Sequence, residues 1–309
     1  MPKHFGFRWG ISVPQHFPDG TVDLALIRNF VKQAEEIGFD SLWVQERGVA
    51  EFPVLEPTNL LSFCAGITSR IKLGSSIIVA PFRNPPQLAK SLATIDQMSE
   101  GRLIIGLGLG NVKHYPAFQI PTGTRGLQLE ECVTIMKALW TQPVVTFSGE
   151  FCQVNNFTLE PKPLQKPHPP LWFGASHPSA LRRAVRLGDG WMGAGSSSTD
   201  DFERTAQLVR TYLEEEGRAP STFAISKRVL VAVNNDRGKA EQWLKQFTEM
   251  IYGQPDKGPT VGVYGSPQDC AEGLKRVLSM DPDLVLLTPV HDHMKQMELL
   301  ASAVLPQLK

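Results

Sequence analysis

Eight short apolar runs recur along the chain, at residues 5–13, 39–45, 71–80, 102–110, 170–175, 190–195, 223–233 and 283–290. They are close to continuously apolar, the pattern of parallel strands covered on both faces; half-exposed strands would alternate polar with apolar residues. Helical periodicity fills the gaps. Leu24, Ile27, Val31 and Ala34 share one face of 22–37, and Leu88, Leu92, Ile95 and Met98 share one face of 86–99. Further helices are expected near 57–69, 125–140, 178–187, 199–216, 238–251 and 266–280. Capping signals support their starts: Ser266 with Asp269, Ser198 with Asp201, and Asn84 ahead of two prolines. Strand then helix, eight times over with no linker, is the signature of a single α/β domain over 1–309, a (β/α)8 TIM barrel; an open doubly wound sheet is the alternative.

The connections differ at the two ends of such a barrel. Helix-to-strand links such as SEGR and RLGDG are short, so Asp189 in the second is expected to be a turn residue. Strand-to-helix links are longer and richer, for example QERGVAEFPVLEP and GNVKHYPAFQIPTGTRG. Barrel active sites are built from the latter. Two insertions are expected: a β-hairpin within 143–169, and a glycine-rich, structurally weak lid at 251–265 on the active side after strand seven.

Charge excludes some functions. Lys plus Arg equal Asp plus Glu at 31 each, with no basic stripe, so nucleic acid and anionic membranes find no electrostatic footprint. A small-molecule partner is the expectation. No apolar run approaches the ~18 residues of a membrane span, and MPKHFGFRWGIS lacks a signal peptide's apolar segment. The four cysteines are far apart, and Cys64 and Cys132 fall on apolar helix faces, as reduced thiols of a cytoplasmic protein would.

Residues 102–111, RLIIGLGLGN, resemble a dinucleotide loop but fail its G-x-G-x-x-G spacing, and a long loop follows where a helix is required. His291 and His293 have no third ligand nearby in sequence, so no metal site is expected. Metalloprotease, serine hydrolase and P-loop motifs are absent. Anion binding is better supported. Gly174-Ala175-Ser176-His177 and Ala194-Gly195-Ser196-Ser197 are small, polar and lead into helices, so their amides can cradle a phosphate. Polar residues at strand ends complete the set: Gln15 and His16, Gln45, Glu46 and Arg47, Asn111 and His114. Glu46 and Arg47 are expected to pair with each other.

Several stretches together resemble the bacterial luciferase-like superfamily of flavin- and deazaflavin-dependent oxidoreductases: AEEIGFDSLWV, the block from TSRIKLGSSIIVAPFRNPP to EGRLIIGLGLGN, LEPKP, PPLWFGAS and RRAVRLGDGW. The resemblance spans nearly the whole chain in order. It implies coenzyme F420, or alternatively FMN, at the C-terminal mouth of the barrel, and a non-prolyl cis peptide at Ser76–Ile77 behind the ring. It implies ring contacts at Leu109, Gly110 and Asn111, the glycines of RLIIGLGLGN leaving room for a flat ring, with phosphate contacts at Ser176, His177, Ala194, Gly195 and Ser196. Glu46, Arg47 and Asn111 are the catalytic candidates, and His16 and His114 the substrate candidates. Where many members end strand two with Asp-His or Glu-His, this chain has Glu46-Arg47. Arg47 stays protonated and does not replace a histidine base, but suits an anionic substrate or developing negative charge. The implied activity is hydride transfer between F420 and a small organic substrate, the alternative an FMN-dependent monooxygenase served by a separate flavin reductase. A non-catalytic flavin-binding protein is a third reading, and the resemblance implies a homodimer.

Overall fold

The computed structural model describes residues 9–308. Its first half contains β1 (Trp9–Ser12), α1 (Leu24–Ile37), β2 (Ser41–Val44), α2 (Pro57–Ile67), β3 (Lys72–Ser75), β4 (Ile78–Val79), α3 (Pro85–Met98), β5 (Leu103–Gly108) and α4 (Arg125–Thr141). A hairpin of β6 (Val145–Ser148) and β7 (Gln153–Phe157) follows. The chain continues through β8 (Leu171–Gly174), α5 (Pro178–Leu187), β9 (Gly190–Gly193), α6 (Thr199–Glu215) and β10 (Ala224–Val233). It ends with α7 (Arg237–Tyr252), α8 (Lys257–Val261), β11 (Val263–Gly265), α9 (Pro267–Leu278), β12 (Leu284–Pro289) and α10 (His293–Leu299).

The strands pair in parallel in the order β1, β2, β3, β5, β8, β9, β10, β12, and β12 returns to β1. This is a closed (β/α)8 TIM barrel. All eight expected strands form; residues 5–8 of the first lie outside the described residues. Inside, Trp43 and Trp172 stack 5.5 Å apart and pack with Ile104, Met192, Leu284 and Leu286. This apolar plug supports the mouth. At the other end, Asp40, Asp189 and Asp283 accept the amides of Trp9, Leu171 and Ile225 on neighbouring strands. Asp189 is therefore the turn residue its sequence implies.

Helix starts follow their caps. Ser198 and Ser266 form capping boxes with Asp201 and Asp269, and Asn84 caps α3. Cys64 and Cys132 are buried in α2 and α4. Leu24 and Met98, expected on core faces, are instead 54% and 50% exposed, because they are the end residues of α1 and α3 and overhang the core.

The hairpin in 143–169 forms as expected and is antiparallel. The insertion after strand seven is present on the active side, but it is built of regular elements and is not structurally weak. Residues 251–265 are the end of α7, then α8 and β11, and β11 pairs with the C-terminal half of β10 through Val231↔Val263. Leu244, Phe247 and Val261 share a buried cluster that ties α7 to α8. α7 is part of this insertion, because its C-terminal residues Ile251 and Tyr252 reach the mouth. The helices of the last two strand–helix units are α9, packed on β10, and α10, a helix after 290 that the periodicity did not reveal.

Among the described residues, no helix is long and apolar enough to cross a membrane.

Candidate active site

The glycines of β5 have alternating spacing, so Gly106 and Gly108 face the same way, toward the segment that leaves β3. A Cβ on Gly106 would lie 2.0 Å from the Ser75 carbonyl oxygen, and one on Gly108 would lie 2.9 Å from the Ile77 side chain. Only glycine permits that approach. The Ser76–Ile77 peptide is cis, and Ile77 also packs against Gly174. These glycines were expected to leave room for a flat ring directly. The space is filled instead by Ser75 and Ile77.

Above this wall lies a cavity of about 460 Å³ at the C-terminal mouth. A second, of about 440 Å³, adjoins it, and the two share Leu109, Gly110, Asn111, Gly174, Ala175 and Ser176. His177 lines only the second lobe, with Arg125 and Arg183, whereas Ala194, Gly195 and Ser196 line only the first. The two expected phosphate loops thus meet at Ser176 and diverge beyond it. His177 Nδ1 accepts the Ser179 amide as the N-cap of α5. Leu109 is fixed by Tyr115, whose hydroxyl donates to its carbonyl at 2.7 Å. Asn111 lines both lobes while its Oδ1 accepts the Lys113 amide, starting a 3-10 turn over Val112–Phe118.

Glu46 and Arg47 do not pair with each other. Glu46 accepts from Arg83 Nη1 at 2.6 Å and from the Val79 amide at 2.6 Å, while Arg83 reaches Glu56 with its other nitrogen. Burial pushes the Glu46 carboxyl up, and Arg83 opposes that shift. Glu46 thus braces β4 and the start of the following turn against β2. Arg47 donates instead to the carbonyls of Val49, Met250 and Ile251, the last two in the final turn of α7. A cation suits those unpaired carbonyls. His16 lines the first lobe, and its pKa is pushed down to about 3 by burial and then by Arg228, His293 and Arg47. His114 is pushed down by burial and by Arg47. Both rings therefore favour the neutral form at ordinary pH, a state that can accept a hydrogen bond.

His291 and His293 diverge. His291 stacks on Trp243 at 4.0 Å, and His293, pushed down to about 4 by burial, meets Phe30 edge-on. Among the described residues no group of three or more candidate ligands is placed to hold a metal.

Two functional candidates escaped the sequence reading: Lys227 and Arg228, adjacent on β10. Successive strand residues face opposite ways. Lys227 is 1% exposed and donates to Ala194 O, Ser197 O and Ser197 Oγ, tying down the β9–α6 loop. Burial pushes its pKa down to about 7. Arg228 faces the first lobe, and its Nε donates to Thr288 Oγ1 at 3.0 Å. That hydroxyl shares a 2.7 Å hydrogen bond with Ser12 Oγ, which accepts from Gln45 Nε2. Gln15 in turn bonds both backbone groups of Gln45. The available signal was a Lys-Arg pair inside the otherwise apolar run FAISKRVLVAV.

Comparison with known proteins adds three kinds of likeness. The family model described as luciferase-like monooxygenase matches residues 7–272. An F420-dependent glucose-6-phosphate dehydrogenase of Kineococcus radiotolerans is 30% identical over 78% of this chain and 71% of that protein. An FMNH(2)-dependent dimethylsulfone monooxygenase of Pseudomonas putida is 28% identical over 93% of this chain and 88% of that protein. Among solved structures, an F420-dependent secondary alcohol dehydrogenase in complex with an F420–acetone adduct superposes with a TM-score of 0.86 at 18% identity, covering 98% of this chain and 99% of that one.

Proposed function

Since the chain belongs to the luciferase-like monooxygenase family of flavin- and deazaflavin-dependent oxidoreductases, we propose that it transfers hydride between coenzyme F420 and a small organic substrate. The observation that carries this reading is the two-lobed mouth. A planar ring with a phosphate-ended side chain needs a flat apolar wall joined to a polar pocket, and the shared Leu109–Asn111 and Gly174–Ser176 edges join two such spaces. The residues present fit the group. Ile77, Leu109, Gly110 and Asn111 would hold the ring. Ser176, His177 and the first turn of α5 would hold the phosphate, with Arg125 beside them, and Ala194, Gly195 and Ser196 would flank the chain between. Bound there, the cofactor supplies the hydride donor or acceptor.

The protein's share is alignment and exclusion of water. The cis segment, propped by Gly106, Gly108 and Gly174, sets the height of the floor, while Tyr115 fixes the Leu109 carbonyl. Arg47 holds the end of α7 at the mouth, where Phe247, Ile251 and Tyr252 cover the first lobe. Arg47 and Asn111 remain the candidates for contact with the reacting groups; Glu46 acts through Arg83 and Val79 as a positioning residue.

A second reading, an FMN-dependent monooxygenase with a separate flavin reductase, draws on the match to the dimethylsulfone monooxygenase over 93% of this chain. Either activity is proposed for one domain spanning 1–309, acting in the cytoplasm as a homodimer. Binding titrations with F420 and FMN, followed by turnover of each reduced cofactor with and without oxygen, separate the two. Tight F420 binding with oxygen-independent turnover is the expected result. Turnover that requires FMN and oxygen would replace it with the second reading.

A further inference from the structure

Two arginines line the first lobe among the described residues, and Arg228 is the one that no backbone carbonyl or carboxylate engages. Its Nε is used by Thr288, but among the described residues neither Nη nitrogen donates to a protein atom. Arg228 lines the cavity with its stem and Nε close against Gly195, and the two Nη nitrogens are the polar atoms it has left unengaged there. The surrounding charge is uncompensated. Of the described residues lining the lobe only Glu46 is acidic, and Arg83 already occupies it. Arg47 adds a second positive charge, and burial with both arginines nearby keeps His16 neutral. To the same lining α7 contributes Phe247, Ile251 and Tyr252, an apolar and aromatic cover, with Tyr252 within electrostatic reach of Arg228.

A desolvated guanidinium with two free parallel donors is the protein's means of recognising a planar or tetrahedral oxyanion, and leaving it unmatched costs free energy. We infer that the substrate is a small organic anion, a carboxylate or sulfonate whose oxygens are gripped by both Nη atoms of Arg228 and whose carbon body lies under Phe247, Ile251 and Tyr252. The Ser12–Thr288–Gln45 network holds the guanidinium in place, because Thr288 receives Nε and is itself fixed by Ser12. This rests on the proposed oxidoreductase site, and places the cofactor phosphate on the other lobe, away from Arg228.

The test is calorimetric titration of the whole protein, with and without F420 or FMN, against methanesulfonate, acetate and the neutral isosteres dimethylsulfone and acetamide at constant ionic strength. The anions are expected to bind at least about 10-fold more tightly than their neutral counterparts. R228M is expected to weaken the anions by about 30-fold. R228K, which keeps the charge and loses the fork, is expected to weaken them by about 10-fold. Cofactor affinity is expected to fall by less than anion affinity in both variants, because Arg228 meets the proposed cofactor site only beside Gly195. T288V, which frees the guanidinium without removing it, is expected to weaken the anions severalfold and covers the case in which R228M does not fold. Equal binding of neutral and anionic isosteres would overturn the inference. So would loss of cofactor rather than anion affinity in R228M, which would make Arg228 a phosphate ligand. If the wild-type protein binds anions through Arg228 but neither cofactor, it is the proposed oxidoreductase reading that fails, and the anion site stands.

Discussion

The two walls of the mouth are built by opposite means. The wall formed by β3, β4, β5 and β8 is made of glycines, backbone and apolar side chains: Gly106 and Gly108 let Ser75 and Ile77 approach, and Gly174 closes on Ile77 from the other side. The wall formed by β1, β2, β10 and β12 is made of polar side chains that hold one another: Gln15, Gln45, Ser12, Thr288 and Arg228. A wall defined by the absence of side chains presents a fixed surface to a shape that does not vary. A wall of donors and acceptors can be retuned one residue at a time, and the proposed anion grip of Arg228 falls on that wall.

The largest effect is expected on the glycine wall. A Cβ at Gly106 meets a backbone oxygen that cannot rotate away, so G106A should cost about 3 kcal/mol in a urea titration. An unchanged midpoint would show that the wall yields, and the contrast between the two sides would collapse. Next is the brace behind that wall. E46Q leaves Arg83 partly buried with Glu56 as its remaining carboxylate, and should cost about 2 kcal/mol by the same measurement.

Acid tests the polar wall. Unfolded histidines protonate near their ordinary value of 6.5, whereas folded His16 and His293 resist to about 3 and about 4. Between those values the unfolded state binds more protons, so stability falls as pH drops from about 6.5 and the loss is complete only below the folded values. The H16N/H293N double variant should retain about 5 kcal/mol more of its pH 7 stability at pH 4.5 than the wild type retains, about half from each histidine. Parallel pH profiles would place the acid sensitivity elsewhere. The smallest effect is local: R47M should speed amide exchange at the end of α7, residues 247–253, with global stability changed by less than about 1 kcal/mol. Protection unchanged there would show that Arg47 does not hold the cover.

The glycine wall was largely legible in the sequence, for a physical reason. Eight apolar runs and their caps determine a barrel, and glycines spaced by two on one strand announce a close approach, though not what approaches. The family resemblance pointed to a ring where the structure puts Ile77. The polar wall was legible only in its loop residues, because strand-end polar residues draw attention and strand-interior ones do not. Arg228 was hidden inside FAISKRVLVAV, where the apolar pattern dominated. Partner choice was also misread: sequence adjacency put Glu46 on Arg47, but consecutive residues at a strand end diverge, and Arg83 comes from the turn after β4. The segment 251–265 looked weak because glycines and prolines mask short elements, and packing of Leu244 and Phe247 against Val261 supplies the order that local propensity lacks.

The division between the walls is tested most directly by a structure determined with F420 bound. The ring is predicted to lie against Ile77, Leu109 and Gly110 and the phosphate at Ser176 and His177, with both Nη atoms of Arg228 free of the cofactor. A ring lying on the polar wall, or a phosphate gripped by Arg228, would contradict it.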